Sequence, residues 1–289
     1  AIELGLDILV ATPGRLLDLI ETGDINFKAL EVFVLDEADT MLDMGFFKDV
    51  QTIISKLPKS RQTLLFSATM PAEIEILAQA ILTDPKKVQI TAENVTIDLV
   101  NQSVYHLEKS NKVPLLFNIL ENPDHEKVLI FCKTKYGADI IVKALEKASI
   151  TAASLHSGKT QAVREEALQN FKDANLRVLV ATDVAARGID VNNITLVINY
   201  NLPEDPRNYI HRIGRTARAG KNGMAISFAV ENDLRQLTNI ENSIGQIIPV
   251  ITEQPFHKEF SKAPTQVKKK AKTKTKAKGK RTNRTRAKK

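Results

Sequence analysis

The sequence has little of what marks secreted or membrane proteins. It contains one cysteine, Cys132, in 289 residues, so no disulfide can form within the chain. No run of apolar residues approaches the roughly 20 needed to cross a bilayer, and no signal peptide is visible. These absences argue against a disulfide-stapled secreted domain and favour a protein of the reducing cytoplasm.

The charge is unevenly distributed along the chain. Residues 256–289 hold 15 basic residues and one acidic residue, Glu259, which gives a net charge of +14. The other 255 residues carry a net charge of −7. The basic segment has few groups that could form a core, so it is predicted to be disordered and to attract phosphate chains in a salt-sensitive way. The alternative is a solvated charge run without a partner.

A short apolar run, Val32–Leu35, leads directly into the carboxylates Asp36 and Glu37. Such a run predicts a strand buried on both faces of a parallel sheet, where ligands bind beyond the carboxyl ends of the strands. Carboxylates there can hold Mg²⁺ and orient water. The alternative is that the two acids only begin a helix, since acids are favoured in a first turn.

Strand-like and helical patterns alternate along the chain, which predicts an α/β fold with parallel sheets. The length suits two domains. We expect a first domain at 1–90, an extended linker at 91–101, a second domain at 102–255 and the basic tail at 256–289. In the first domain, strands are predicted at Asp7–Ala11, Val32–Leu35, Gln62–Phe66 and Lys87–Ile90, with a helix from about Arg15.

Five motifs carry a resemblance to a known family. They are DEAD within Val32–Phe46 (VFVLDEADTMLDMGF), TPGR at 12–15, SAT at 67–69, ATDVAARGID at 181–190 and HRIGRTARAG at 211–220. TPGR and SAT are weak signals alone, but in this order and together with the three longer stretches they resemble the DEAD-box RNA helicases. The resemblance implies two RecA-like parallel-sheet domains, the first incomplete, that clamp ATP–Mg²⁺ and single-stranded RNA.

The resemblance also implies which residues act on ATP. Asp36 and Glu37 would hold the metal, and Glu37 would position or activate the attacking water. Asp39, Ser67, Thr69 and His211 would couple the parts of the site. The residues implied to approach the nucleotide are Gly188, Asp190, Arg215 and Arg218, of which the two arginines would stabilise charge on the γ-phosphate.

A second set of residues is implied to bind RNA. It comprises Thr12, Pro13, Gly14, Arg15, Gln161, Arg164, Thr182 and Gly188. One nearby stretch, Ser157–Thr160 (SGKT), looks like the end of a phosphate-binding loop, but alanine stands at position 153 where that loop needs glycine. We therefore interpret the stretch as part of the RNA-binding region.

Departures from the family pattern leave other possibilities open. Ala217 replaces a usual glycine, which we expect to be tolerated, and Asn201 replaces a frequent aspartate, whose role is left open. The family's Q motif and its G-x-x-x-x-G-K-[ST] loop do not occur, so we expect the chain to be the C-terminal part of a longer helicase. Alternatives are an RNA-binding or regulatory fragment without ATPase activity and a DNA helicase of the same superfamily. Expected partners are single-stranded RNA, short RNA duplexes and ribonucleoprotein or ribosomal assemblies.

Overall fold

The computed structural model describes residues 6–89, 99–186, 189, 191, 193–217 and 223–260. These residues divide into two compact units, 1–91 and 92–289. None of the helices in this part of the chain has the length and apolar character that a bilayer-spanning helix requires. Each unit is an α/β structure built on a parallel sheet.

Unit 1 has a two-stranded sheet that is flanked by helices. Its elements are α1 (Pro13–Glu21), β1 (Val32–Leu35), α2 (Ala38–Asp43), α3 (Phe47–Ser55), β2 (Gln62–Leu65) and α4 (Ala72–Ile81). β1 and β2 run parallel, with Val32 opposite Gln62. The core of unit 1 is formed by Leu35, Ala38, Val50, Ile74, Leu77 and Ile81.

The prediction that β1 is buried on both faces is wrong. Val32 is 47% exposed and Val34 is 51% exposed, whereas Leu35 is buried. In the described residues β1 pairs only with β2, and packed side chains cover one face. β2 is likewise only half-buried, and it ends one residue before the exposed Phe66.

Two predicted strands of unit 1 are absent from the described residues. Residues 7–11 form no strand, and Ile8 and Val10 are largely exposed. Residues 87–89 form none either, and Ile90 lies outside the described residues. An extended segment becomes a strand only when a neighbour takes up its backbone hydrogen bonds, and neither segment pairs with one. The helix predicted from Arg15 begins at Pro13, because proline suits a first helical position.

Unit 2 has a six-stranded parallel sheet with the strand order β3-β8-β7-β4-β6-β5. Its strands are β3 (Val100–His106), β4 (Val128–Phe131), β5 (Ala152–Leu155), β6 (Val178–Ala181), β7 (Leu196–Asn199) and β8 (Gly223–Ala229). Its α-helices are α5 (Lys112–Leu120), α6 (Lys135–Lys147), α7 (Gln161–Lys172), α8 (Asp183–Ala186), α9 (Pro206–Ile213) and α10 (Leu234–Ile244). Short 3₁₀ helices at Lys109–Asn111 and Glu231–Asp233 precede α5 and α10.

Both faces of the unit 2 sheet are covered. Alternate residues of β4 belong to different cores: Leu129 and Phe131 pack in one, Val128 and Ile130 in the other. Three of the helices are capped by polar side chains that accept backbone N–H groups, namely α6 by Thr134, α7 by Thr160 and α9 by Asp205. These caps fix the loops at the carboxyl ends of the strands.

Two predicted boundaries of unit 2 need correction. β3 begins at Val100, inside the predicted linker, while positions 90–98 lie outside the described residues. The first five residues of the predicted disordered tail are ordered: Lys258 N–H donates to the carbonyl of His106, and the Phe260 ring lies 5.0 Å from the His106 ring. The rings of Phe256 and Phe260 supply contacts in this short piece, and the lysine-rich remainder lies outside the described residues.

Candidate functional site

Two exposed carboxylates follow β1 at its carboxyl end. The Glu37 N–H donates to Asp36 Oδ1 at 2.9 Å. Glu37 has left-handed backbone angles, φ 49° and ψ 46°, immediately before α2. A non-glycine residue in this region is strained by about 1–2 kcal/mol, and such strain is concentrated at functional sites. The alternative of an ordinary helix start explains the position of these acids but not the strained geometry.

Asp39 joins the end of β1 to the end of β2. Its Oδ2 accepts the Thr69 hydroxyl at 2.7 Å and the Thr69 N–H at 2.8 Å. The Asp39 N–H donates to Ser67 Oγ at 3.2 Å, and Ser67 Oγ donates to the carbonyl of Thr69 at 2.7 Å. Burial alone would raise the pKa of Asp39, but the hydrogen bonds from Thr69, Ser67 and the Thr40 N–H outweigh it and lower the pKa.

Ser67 and Thr69 therefore serve neither as helix caps nor as partners of the two exposed acids. α4 follows Pro71 and has no side-chain cap. Both residues contact Asp39, at a separation of about 30 positions in the sequence. The structure thus brings together the third acidic position of the DEAD string and the SAT motif, at neighbouring ends of two parallel strands.

In unit 2, Arg212 is the centre of a buried polar network. Its Nε and Nη2 donate to the two carboxylate oxygens of Asp183 at 2.6 and 2.7 Å. Its Nη1 donates to Asn199 Oδ1 at 3.0 Å and to the carbonyl of Asn201 at 2.7 Å. With 3% exposure and these partners, Arg212 is committed to internal contacts and is not presented to an external anion.

His211 and Arg215 lie beside this network and are half-buried. They line a small recess together with Asp183 and Asn208. Arg215 Nη1 donates to the carbonyl of Ile189 at 2.8 Å. The other residues predicted to approach the nucleotide, Gly188, Asp190 and Arg218, lie outside the described residues.

The residues predicted to bind RNA in unit 2 lie beyond two adjacent strands, β5 and β6. Gln161 and Arg164 are in the first turn of α7, where Arg164 Nη1 donates to Gln161 Oε1 at 3.2 Å. Thr182 directly follows β6, and its N–H donates to the carbonyl of Leu155 at 3.2 Å. All three side chains are at least partly exposed.

The TPGR motif of unit 1 forms the start of α1. Thr12 precedes the helix without capping it, Pro13 is buried at its first position, and Gly14 has open space around it. Arg15 is exposed, with Nη1 4.0 Å from Asp18. A helix start with a hydroxyl and a guanidinium suits a phosphate oxygen.

The SGKT stretch uses its polar groups internally. Gly158 N–H donates to His156 Nδ1 at 3.1 Å, and Lys159 Nζ lies 3.1 Å from Asp139 Oδ1. Thr160 caps α7. A phosphate-binding loop needs its amides and its lysine to face the ligand, so these contacts argue against a nucleotide phosphate site here.

Sequence reasoning did not assign the contacts of three polar residues near Arg212. Asn201 Oδ1 accepts the Lys133 N–H at 3.2 Å, which is a role for the amide that replaces the family's aspartate. Lys112 Nζ donates to the carbonyl of Tyr200 at 2.8 Å. Asp183 pairs with Arg212. No sequence signal indicates the Lys112 and Asn201 contacts, because their partners are 68–88 positions away.

Comparisons with known proteins agree with this geometry. The DEAD/DEAH box helicase family matches residues 1–77, and the helicase conserved C-terminal domain matches residues 111–220. RhlB, an ATP-dependent RNA helicase of Pseudomonas syringae pv. tomato, is 46% identical over 244 residues, which are 84% of this chain and 62% of that protein.

Solved structures give the same result. Dbp5 of S. cerevisiae, bound to RNA and ADP BeF3, is 31% identical with a TM-score of 0.75, and the match covers 84% of this chain and 64% of Dbp5. The E. coli DEAD-box protein SrmB, bound to regulator of ribonuclease activity A, is 32% identical with a TM-score of 0.54, over 58% of this chain and 98% of that one.

The parallel sheets, together with the similarity to Dbp5, define a RecA-like α/β protein. The chain belongs to the DEAD-box helicase family. It spans less than two thirds of the length of the RhlB relative.

Proposed function

We propose that the protein is an ATP-dependent RNA helicase that couples ATP binding and hydrolysis to RNA clamping and local duplex unwinding. The observation that carries this proposal is the arrangement at the end of β1. Two exposed carboxylates, Asp36 and Glu37, stand beside Asp39, which is bound to Ser67 and Thr69 of the neighbouring strand end.

The donor set at this position fits Mg²⁺ with ATP. Mg²⁺ prefers hard oxygen ligands and is commonly held by one or two carboxylates together with phosphate oxygens and water. Asp36 offers an exposed carboxylate, with Glu37 next to it. When bound, the metal neutralises charge on the phosphates.

The roles of this chain's own residues follow from their chemistry. Glu37 orients the attacking water or accepts its proton, as a carboxylate can. Arg215 and Arg218 stabilise negative charge on the transferred phosphoryl group, as guanidinium groups do. His211 acts with Arg215, with which it lines the recess in unit 2, and Asp190 and Gly188 contact the nucleotide. Asp39, Ser67 and Thr69 couple the loop after β1 to the loop after β2, so that a movement of one loop moves the other.

RNA is held mainly through its backbone in this proposal. Thr12–Arg15 in unit 1 and Gln161, Arg164, Thr182 and Gly188 in unit 2 supply hydroxyl, amide and guanidinium donors, which bind phosphate and ribose without reading sequence. The basic residues beyond 260 add salt-sensitive, non-specific affinity. A cytoplasmic location and partners in ribonucleoprotein or ribosomal assembly fit this activity.

The test is RNA-stimulated ATP hydrolysis by the full-length product of the gene, with Glu37→Gln beside it. We expect the substitution to lower kcat by about 100-fold or more while RNA affinity is kept, because it removes a general base and not an RNA contact. Glu31→Gln is the matched control, since Glu31 is exposed at the opposite end of β1. Hydrolysis that survives in Glu37→Gln would refute the role of Glu37.

The same assay separates the competing functions. RNA binding without ATP hydrolysis in the unaltered protein would favour an RNA-binding or regulatory role, for which the absence of the G-x-x-x-x-G-K-[ST] pattern from these 289 residues is the supporting feature. Stronger stimulation by DNA than by RNA would favour a DNA helicase.

A further inference from the structure

Unit 2 contains a buried lysine that no motif includes. Lys112 is the first residue of α5 and is 3% exposed. Its Nζ donates to the carbonyl of Tyr200 at 2.8 Å, lies 5.4 Å from the centre of the Tyr200 ring and is 3.9 Å from Asp233 Oδ2. Burial lowers the pKa of Lys112, although Asp233 opposes this. Burying an ammonium group is costly unless it is paired and hydrogen-bonded, and these contacts supply that compensation.

What Lys112 holds is the turn that follows β7. The carbonyl of Tyr200 accepts from Lys112, and the next carbonyl, that of Asn201, accepts from Arg212 Nη1 at 2.7 Å. The Tyr200 N–H donates to the carbonyl of Phe131 at 3.0 Å. Two consecutive carbonyls are thus each bound by a buried cation, one from α5 and one from α9.

This turn leads into α9, which carries His211 and ends two residues before the candidate phosphate-binding residue Arg215. Asp205 caps the helix four residues after Asn201, and Arg212 reaches back from the helix to the Asn201 carbonyl. The Arg215 N–H then donates to the carbonyl of Arg212 at 3.1 Å. The turn, the helix and Arg212 form a closed loop of contacts, so a displaced turn displaces the backbone on which Arg215 stands.

We propose that Lys112 is a positioning residue: its ammonium group fixes the Tyr200–Asn201 turn and thereby places α9, with His211 and Arg215, for work on a phosphate. The part of this inference that concerns hydrolysis rests on the proposed function. The part that concerns the turn does not, and it can be tested separately.

The central variant is Lys112→Met, which keeps an unbranched side chain and removes the ammonium group. The control is Lys127→Met. Lys127 Nζ donates to the carbonyl of Lys172 at 2.9 Å and lies 5.8 Å from the centre of the Phe171 ring. The control therefore removes a hydrogen bond to a carbonyl and a contact with an aromatic ring, but Lys127 is only half-buried and lies just before β4, at the amino ends of the strands.

The first readout is the reactivity of Cys132, the only cysteine in the sequence. It is buried, and its Sγ lies 3.7 Å from Asn201 Oδ1 in the turn. Burial raises the pKa of the Cys132 thiol, so a thiol reagent should modify it slowly and mainly when the turn opens. The charge of Lys112 lowers the pKa of this thiol, so its removal should by itself slow the modification, and only opening of the turn can speed it. We expect Lys112→Met to raise the modification rate by about tenfold, and Lys127→Met to change it by less than about twofold.

Global unfolding is distinguished from local opening by low concentrations of urea. Opening of the turn exposes little surface, so its rate should hardly depend on urea, whereas modification through global unfolding should rise steeply. Asp233→Asn is a milder second variant, because it weakens the hold on Lys112 without removing the ammonium group. It should give an intermediate rate.

The second readout is steady-state ATP hydrolysis with saturating RNA, in the full-length product of the gene. Because arginine acts on charge that develops in the transition state, Lys112→Met should lower kcat about tenfold while KM for ATP and RNA affinity change little. Lys127→Met should leave all three unchanged.

The outcomes separate the inference from the proposed function. An unchanged Cys132 rate in Lys112→Met overturns the inference, whether or not the unaltered protein hydrolyses ATP. A raised rate with unchanged kcat overturns it too, because the turn would then not place Arg215. An unaltered protein that hydrolyses no ATP in the presence of RNA refutes the proposed function. In that case the Cys132 modification rate still tests whether Lys112 fixes the Tyr200–Asn201 turn.

Discussion

β1 in unit 1 and β4 in unit 2 have nearly interchangeable sequences, VFVL and VLIF, but different environments. All four residues of β4 are at most 2% exposed, whereas Val32 and Val34 of β1 are about half exposed. β4 pairs with β6 and β7, and side chains cover both of its faces. In the described residues β1 pairs with β2 alone. The burial of an apolar strand is therefore set by what surrounds it and not by its own composition.

The strands of the two units differ in burial, but the polar groups at their ends are arranged alike. In both units one buried charged side chain links the ends of two strands. In unit 1, Asp39 links the ends of β1 and β2 through Ser67 and Thr69. In unit 2, Arg212 links residues at the ends of β6 and β7, through Asp183 and Asn199. In each unit a buried, hydrogen-bonded charge holds loops from two strands in a fixed arrangement, as a pre-organised site requires. The two strands are neighbours in unit 1, whereas β4 lies between β6 and β7 in unit 2.

The largest predicted effect on stability comes from truncating a buried side chain in β4, compared with a half-exposed one in β1. Ile130→Ala in β4 leaves a cavity in a closely packed core, so it should lower the free energy of unfolding of unit 2 by about 3 kcal/mol. Val34→Ala in β1 removes half-exposed atoms and should cost less than about 0.5 kcal/mol. Urea unfolding followed by tyrosine fluorescence measures the first change, since all four tyrosines lie between positions 105 and 209 and the sequence has no tryptophan.

Hydrogen exchange in residues 32–35 and 62–65 measures the second change, because unit 1 carries no tyrosine. Equal losses for the two substitutions would contradict the comparison. They would mean that the exposed face of β1 is covered in solution.

A smaller effect is expected from the charge that links β1 and β2. Asp39→Asn weakens two hydrogen bonds from Thr69 and should lower the stability of unit 1 by about 2 kcal/mol at neutral pH. The pKa of Asp39 is lowered in the folded state, so its stabilising contribution is complete above the ordinary aspartate pKa of about 4 and is lost as pH falls through the folded value. The difference in unit 1 stability between the unaltered protein and Asp39→Asn should therefore shrink below about pH 4.

Hydrogen exchange of residues 36–43 and 62–69 across that pH range checks this expectation. Asp18→Asn is the control, because Asp18 is exposed and 4.0 Å from Arg15, a pair expected to contribute less than about 0.5 kcal/mol. A difference that stays constant from pH 7 to pH 3 would show that the charge of Asp39 does not stabilise unit 1.

The sequence predicts unit 2 well because periodicity and burial agree there. The apolar run VLIF predicts a strand at Val128–Phe131, and β4 has these bounds. The sequence also predicts a helix from Asn232 to Asn242, and α10 begins at Leu234. Unit 1 is predicted less well, because the run at residues 7–11 has strand-like composition but no pairing neighbour. Local pattern specifies a strand only where the rest of the sheet completes it.

The candidate site, too, can be predicted in part from local sequence and in part only from the folded structure. The motifs indicate which residues matter, but three-residue spacing does not separate Arg212 from Arg215. α9 ends at Ile213, so Arg212 stays on the helix and is buried, while Arg215 lies past the Gly214 C-cap. The contacts of Lys112 and Asn201 join residues 68–88 positions apart, and no local pattern encodes such pairs.

The smallest predicted effect on stability comes from backbone strain. Each unit has a strained residue next to one of its candidate site residues. Glu37 in unit 1 and Ala217 in unit 2 have positive φ angles, 49° and 55°. At position 217 the family pattern has glycine. From the sequence alone, alanine differs from glycine by one methyl group and is expected to be tolerated. The structure gives the physical cost, since the left-handed region is unfavourable for alanine by about 1–2 kcal/mol and glycine loses about 0.5–1 kcal/mol more entropy on folding.

Ala217→Gly should therefore stabilise unit 2 by roughly 0.5 kcal/mol. Ala174→Gly is the matched variant, because Ala174 has φ 60° but is exposed, whereas the Ala217 methyl packs in the core. Ala174 should gain slightly more than Ala217, and tyrosine-monitored urea unfolding measures both. A loss of stability in Ala217→Gly beside a gain in Ala174→Gly would show that packing of the Ala217 methyl outweighs its backbone strain, and that alanine is a favourable replacement at this position.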